Sequence, residues 1–123
     1  MADLTATVTL VSAKSPNTSL TYTGVADEIS CSATGRLIGT QTIGTSEEAL
    51  DLGQVGSATL GLCLIVNTDS TNFVEMRQGT GTTNLMKWKA GEAFLFRFSL
   101  DTTAPFMIAD SGSVVIEIWL HDD

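Results

Sequence analysis

The sequence predicts an all-β protein, a single antiparallel β-sandwich of about eight to ten short strands in a jelly-roll-like arrangement. Apolar and polar residues alternate with a period of two along several segments, which is the pattern of a strand with one buried face. Frequent turn signals separate these segments, and no segment keeps the periodicity of a helix. The chain of 123 residues is long enough for one domain and its core, so we expect a single domain over residues 1–123.

The first strand is predicted at residues 4–10, where Leu, Ala and Val alternate with threonine. A serine, a proline and an asparagine at residues 15–17 favour a turn. Leu20 and Tyr22 then repeat the alternation and predict a second strand. Residues 1–9 could also act as an arm or edge strand that pairs with the sheet edge of a neighbouring subunit.

Short strands are predicted next at residues 28–33 and 36–43. A serine followed by two acids at residues 46–50 could begin a helical turn. Gly44 and Gly53 bracket that segment too closely for a stable helix, because nucleating a helix is costly. We therefore predict a turn or an extended segment there.

The strongest core signal is the continuous apolar run at residues 60–66, which predicts a central strand covered on both faces. Residues 67–72 are polar and turn-prone, and residues 73–78 alternate again. Together these segments predict a β-hairpin. The glycine-rich residues 79–84 are expected to form a flexible, exposed loop tip.

Two strands are predicted in the C-terminal part of the chain. Residues 93–98 place three phenylalanines on one face. Every second residue from Val114 to Leu120 is aliphatic, so this strand has one clean apolar face and is expected to be central or well paired.

Composition excludes several functions. Fourteen acidic residues against six basic ones give a net charge of −8, which repels a nucleic-acid backbone. No segment approaches the roughly 20 apolar residues of a membrane span, and no signal peptide is visible, so we expect synthesis in the cytoplasm. Only 16% of residues are charged, against about a quarter in an average domain, which is typical of a subunit covered by neighbours.

No catalytic constellation is visible. The single histidine, His121, is the third residue from the end of the sequence, and we expect it to be exposed and poorly ordered. The acid pairs Glu47–Glu48 and Asp122–Asp123 are adjacent in sequence, so on an extended chain their side chains point in opposite directions. We therefore predict that the protein is not an enzyme and has no catalytic, cofactor-binding or metal-binding residues.

A calcium site at Asn67, Asp69 and Asn72 is conceivable, because hard cations take oxygen ligands from loops. Their spacing does not match an EF-hand, and an Asx-rich turn is the favoured interpretation. Cys31 and Cys63 are expected to be buried free thiols, with a disulfide between two strands as the alternative.

Composition also indicates candidate surface contacts. Residues 12–18 and 79–84 could reach neighbouring subunits. Tyr22, Trp88 and Trp119 are candidates for an aromatic platform that binds a ligand, although aromatic residues on strands are more often part of the core.

Three segments resemble recurrent stretches in small structural proteins of tailed bacteriophages. The first is GTQTIGTSEEALDLGQV at residues 39–55. The second is residues 64–75, which are similar to a pattern of an apolar strand followed by Asn-x-Asp-x-Thr-Asn and then by an aromatic residue, Val and Glu. The third is residues 89–97, which are similar to a segment that has Ala-Gly-Glu before an apolar strand and an arginine. The resemblance covers residues 36–123. Residues 61–63 depart from it, because such chains often place a Pro-Gly turn near that strand start, and residues 1–33 carry no family motif.

The resemblance implies a virion component that is made in the host cytoplasm. A capsid decoration (cement) protein is the leading expectation. It would be a homo-oligomer, a trimer, that stabilises the shell over gaps between subunits of the major capsid protein. Other virion proteins are alternative partners, and neither nucleic acid nor a membrane is expected. A tail or neck adaptor of the virion and a carbohydrate- or receptor-binding β-sandwich module are the alternative functions.

Overall fold

The computed structural model describes residues 7–14, 18–25, 36–99 and 104–122. The chain divides into two compact units, Met1–Cys31 and Ser32–Asp123, and each is described by itself. The strand predicted at residues 28–33 lies outside the described residues. The single domain over residues 1–123 stays a prediction.

The first unit contains an antiparallel hairpin. Strand β1 is Thr7–Lys14 and strand β2 is Thr18–Val25, and their register places Leu10 opposite Tyr22. Both predicted N-terminal strands are therefore present. Residues 1–6, which belong to the predicted arm, and the predicted turn at residues 15–17 lie outside the described residues.

The second unit contains eight strands within the described residues. They are β3 (Arg36–Ile43), β4 (Glu48–Ala49), β5 (Leu60–Asn67), β6 (Val74–Arg77), β7 (Asn84–Trp88), β8 (Ala93–Arg97), β9 (Phe106–Ala109) and β10 (Val114–Asp122). The segment at residues 46–50 is extended, as predicted. The described residues contain no helix, so none that could cross a membrane.

These eight strands form two antiparallel sheets of four strands each. The front sheet has the strand order β3-β10-β5-β8, and the back sheet has the order β4-β9-β6-β7. The all-β class is therefore confirmed, and the arrangement is sandwich-like because inner residues of both sheets join one hydrophobic cluster.

The fully or almost fully buried residues of that cluster come from the front sheet, the back sheet and the connecting loops. They are Ile43, Leu50, Val55, Leu60, Cys63, Ile65, Val74, Met76, Trp88, Met107, Ala109, Val114, Ile116, Ile118 and Leu120. Half-buried Phe94, Phe96 and Phe98 pack against it from one face of β8 and the residue beyond it, as the sequence predicted. Each large aliphatic side chain removed from water in this way contributes about 1.5–3 kcal/mol before entropy is counted.

The last strand, β10, lies inside the front sheet. It pairs with β3 on one side and with β5 on the other. Residues from Val114 to Leu120 alternate strictly between buried and exposed, so the predicted clean apolar face is confirmed. Strand β5 is also interior, between β10 and β8, and most of its residues are buried on both faces of the sheet.

The predicted hairpin between residues 60–66 and 73–78 is wrong. Strand β5 belongs to the front sheet and β6 to the back sheet. Both edges of β5 are already hydrogen-bonded, to β10 and to β8, so no edge is left for β6. The polar segment between them crosses from one sheet to the other, and β6 forms its hairpin with β7 instead.

Candidate interaction surface

A row of apolar residues crosses the outer face of the front sheet. The register places Ile38 opposite Trp119, Trp119 opposite Leu64, and Leu64 opposite Leu95. Directly opposite residues in an antiparallel sheet share a face, with their Cβ atoms about 4.5–5.5 Å apart. These four residues, one from each strand, therefore form a continuous line, which we call the apolar row.

The apolar row is accessible to solvent. Ile38 is 55% exposed, Trp119 is 43% exposed and Leu95 is 38% exposed, while Leu64 is half-buried. Single exposed apolar residues are ordinary on a protein surface, but contiguous apolar patches mark interaction sites. The row is contiguous across the full width of the sheet, so it is the candidate interaction surface of this chain.

Two flanks border the apolar row. On one side, Glu117 lies between Thr40 and Val66, and Val66 lies opposite Ala93.

On the other side, alternation along β10 places His121 on the face of Trp119, and Leu62 lies opposite Arg97. The described polar groups are therefore segregated, with a carboxylate on the first flank and an imidazole and a guanidinium on the second.

The outer face of the back sheet carries charged residues that pair with one another. Arg77 Nη1 lies 2.8 Å from Glu47 Oε2, and Lys87 Nζ lies 3.0 Å from Glu75 Oε1. Asn84 joins the two pairs, because it accepts a hydrogen bond from Arg77 Nε and donates one to Glu75. These charged groups are therefore paired within the chain, whereas the apolar row contains no charged group.

Glu47 also fixes the loop at residues 79–84. The Gly81 amide donates to Glu47 Oε1 at 2.9 Å, and this bond, followed by the Arg77 guanidinium, holds the pKa of Glu47 below its usual value. Gly81 takes a positive φ of 67°, which favours glycine there. The glycine-rich loop is exposed, as predicted, and it is anchored to the back sheet through Glu47.

The crossing loop after β5 is organised by Asx side chains. The buried amide of Asn67 donates to the carbonyls of Asn72 and Trp88 at 2.9 and 3.1 Å, and its oxygen accepts the Asp69 amide. Asp69 Oδ1 accepts the amides of Asn72 and Thr71, both at 2.7 Å, which lowers the pKa of Asp69. This geometry is the Asx-rich turn, in which these carboxyl and amide oxygens accept hydrogen bonds from backbone amides. Among the described residues, no three His, Cys, Asp or Glu side chains form a group that could hold a metal ion.

The two tryptophans have different environments. Trp88 is fully buried, with its ring centroid 5.0 Å from that of Phe94 and 5.9 Å from that of Phe96. Trp88 is therefore a core residue, and its candidacy for a ligand platform is wrong. Trp119 is exposed within the apolar row, and the side chain of Tyr22 lies outside the described part of the chain.

The residues considered for catalysis are dispersed. His121 is not in a frayed tail but inside β10, where its backbone pairs with Arg36. Glu47 contacts Arg77 whereas Glu48 accepts the Gly44 amide at 2.6 Å. The two adjacent carboxylates therefore bind different partners and do not form a pair.

The remaining candidates are the C-terminal acids and the thiols. Asp122 accepts a hydrogen bond from the Thr59 hydroxyl, and Asp123 lies outside the described residues. Cys63 is a free, fully buried thiol, as predicted, and burial raises its pKa, which disfavours the nucleophilic thiolate. Cys31 lies outside the described residues.

An open groove of about 290 Å³ lies where the edge strands of the two sheets, β7 and β8, come together. Its lining is mainly apolar and includes Met76, Met86, Phe96 and Phe98. Ser99 and Pro105 also line it, and the residues between 99 and 104 lie outside the described part of the chain, so the apolar row is the better-defined surface.

The apolar row was not predicted from the sequence, because its residues come from four strands far apart along the chain. A signal was present in β10, whose outward positions include Val115 and Trp119, both 43% exposed. No protein-family model matches the sequence, and no curated protein is significantly similar to it.

Proposed function

We propose that this chain is a non-enzymatic structural component of a tailed-phage virion, a capsid decoration protein that stabilises the shell as an oligomer. The apolar row is the surface through which it assembles. Within this proposal, the major capsid protein is the partner on the particle.

The single observation that carries the proposal is the apolar row on an open sheet face. A protein that exposes an aromatic and three aliphatic residues in one line gains free energy when another protein covers them. Tryptophan is also among the residues that dominate the energy of protein interfaces. The row therefore supports a function through protein contact.

The strand order supports a jelly-roll fold. Counted from β3 to β10 as one to eight, the strands have the orders 1-8-3-6 and 2-7-4-5. The first strand thus pairs with the eighth, the second with the seventh, the third with the sixth and the fourth with the fifth, which is the nested pairing of a jelly roll. This architecture is common in viral capsid proteins, although it also occurs in lectins and cupins. The fold alone therefore does not decide the function.

The assignment to a phage particle depends on the resemblance of residues 36–123 to small phage structural proteins. The low content of charged residues, 16%, supports a subunit with much of its surface in contact with other chains.

The non-enzymatic part of the proposal is supported by how the candidate groups are used. Glu47 binds an arginine and a loop amide, and the Cys63 thiol is buried with a raised pKa. Neither is free to act as a nucleophile or a general base.

The alternatives make different predictions. A tail or neck adaptor would have the same fold and surfaces, so only its position in the particle separates it from a decoration protein. A carbohydrate-binding module needs an aromatic platform, and the burial of Trp88 removes one of its three candidates.

The experiment that tests the proposal is a cryo-electron microscopy reconstruction of the particle that carries this chain. We expect density for the second unit on the outside of the shell, at repeated positions between capsid subunits. Density on the tail or neck alone would overturn the decoration function in favour of the adaptor. Shells lacking the chain provide the matched control, and adding purified chain should raise the temperature at which they release DNA.

A further inference from the structure

We infer that the partner of the apolar row is the same face of a second copy of this chain, packed about a two-fold axis that runs along the row. This inference rests on the proposed assembly role and names the partner of that surface. It is carried by the arrangement of side chains on the two flanks, which are complementary to each other.

A two-fold axis along the row places each of its residues against the same residue of the partner copy. It also exchanges the flanks. Glu117 and His121 lie on β10 at equal distances from Trp119, two residues on either side. The carboxylate of Glu117 in one copy therefore faces the imidazole of His121 in the other, and the contact occurs twice in each pair.

The charges and hydrogen bonds of the flanks suit this arrangement. A histidine side chain offers at least one N–H donor in either protonation state, and a carboxylate is an acceptor. Arg97 adds a permanent positive charge to the same flank as His121. Electrostatic complementarity of this kind fixes the register of an interface more than it adds affinity.

Side-chain size also matches across the axis. Ala93 and Arg97 lie two residues on either side of Leu95 on β8, so the small alanine of one copy faces the long arginine of the other. Val66 and Leu62 are related in the same way about Leu64, but Leu62 is only 6% exposed, so it makes no contact with the partner copy. The match between Ala93 and Arg97 favours close packing of the faces at the usual separation of about 10 Å between stacked sheets.

The area of the front face limits the affinity with which two copies can bind each other. Three strands of eight or nine residues and one of five, spaced about 4.8 Å apart with roughly 3.4 Å per residue, span about 500 Å² per copy. A pair then buries about 1,000 Å², at the low end of specific interfaces. We therefore expect a reversible dimer that forms at micromolar or higher concentration and is favoured where many copies are held side by side.

The test measures the mass of the purified full chain by sedimentation equilibrium from about 1 µM to about 1 mM, together with a charge-exchange series. We expect a monomer–dimer equilibrium. Glu117→Lys and His121→Glu should each weaken dimerisation by about tenfold or more. The first replaces the carboxylate that accepts the His121 N–H with an ammonium donor, and the second places two carboxylates in contact, and each change occurs twice in the pair. The double variant recreates both contacts with the charges reversed and should return to within about threefold of the parent.

Two controls separate this pairing from association through a different face of the chain. Trp119→Asp should abolish the dimer, whereas Leu85→Asp, at a residue 66% exposed on the back sheet, should leave it unchanged. Circular dichroism of every variant establishes that it is folded. A chain that stays monomeric to about 1 mM, a trimer, or a double variant no better than the single variants would overturn the two-fold pairing.

Binding to shells that lack the chain is measured in parallel. Shell binding by a chain that shows none of the expected pairing would reject this inference and leave the proposed function intact. Two-fold pairing without any binding to shells would support the inference and reject the decoration function.

Discussion

The front and back sheets are each four strands wide and contribute to one core, but their outer faces carry different side chains. The front face has an uninterrupted line of apolar residues with separated charges on either side. The back face has two ion pairs, Glu47–Arg77 and Glu75–Lys87, joined through Asn84. A face whose charges are satisfied within the chain is suited to water, whereas the apolar face is suited to another protein.

The largest expected effect concerns the core that both sheets share. In a Cys31→Ser background, the buried thiol of Cys63 should react with a thiol reagent at least about a thousandfold more slowly in the folded than in the unfolded protein, because reaction requires opening of the sheets. Ala93→Cys in a background with both native cysteines changed to serine is the control, since that position is exposed on the outer face of the same sheet. Equal rates for the two thiols would contradict a closed core.

The two tryptophans test the same division between inner and outer positions. Trp88→Ala should lower the free energy of unfolding by about 3–5 kcal/mol, because it leaves a large cavity among the phenylalanines. Trp119→Ala should change it by less than about 1 kcal/mol at concentrations where the chain is monomeric. Urea unfolding followed by circular dichroism gives both values. A larger cost at Trp119 would mean that the apolar row stabilises the monomer.

The loop that connects the sheets is expected to be the next most sensitive. Asn67→Ala removes a fully buried amide and leaves the carbonyls of Asn72 and Trp88 without its N–H donors. We expect a loss of about 2–3 kcal/mol in urea unfolding. Asp110→Ala, at an exposed residue after β9, is the control and should change stability by no more than about 0.5 kcal/mol.

The smallest expected effect lies on the back face. Glu47→Gln removes the charge that binds Arg77 and the Gly81 amide, so it should lower the melting temperature slightly at neutral pH. The pKa of Glu47 is lower in the folded chain than its ordinary value of 4.5. Its contribution is therefore present above that pH and is lost as the pH falls through the folded value. The difference in melting temperature between the two proteins should disappear in acid, and a difference that persisted there would exclude the charge as its cause.

The local pattern of the sequence predicted most of the strands, although β7 and β9 were not predicted. The alternation in residues 114–120 correctly placed β10 inside a sheet with one apolar face, because a residue's inward or outward direction follows from a period of two. The continuous apolar run of β5 correctly indicated an interior strand. The burial of Cys63 followed from the same run.

The pairing of strands was much harder to predict. Residues 67–72 have the composition of a turn whether the chain returns along the same sheet or crosses to the other one, so the hairpin with residues 73–78 was predicted wrongly. The apolar row was missed for a related reason. Ile38, Leu64 and Leu95 are each ordinary strand residues, and only the register brings them into line with Trp119.

The position of β10 has a consequence for how the protein is synthesised. β10 is the most C-terminal of the described strands and yet holds β3 and β5 together, so the front sheet cannot close on the ribosome before residues 114–122 have emerged. Until then β3 and one edge of β5 lack their partner, and contacts between such distant parts of a chain form slowly. We expect a nascent chain stalled before Val114 to be bound by chaperones and readily cleaved by proteases, and protection to arise in a single step when β10 has emerged.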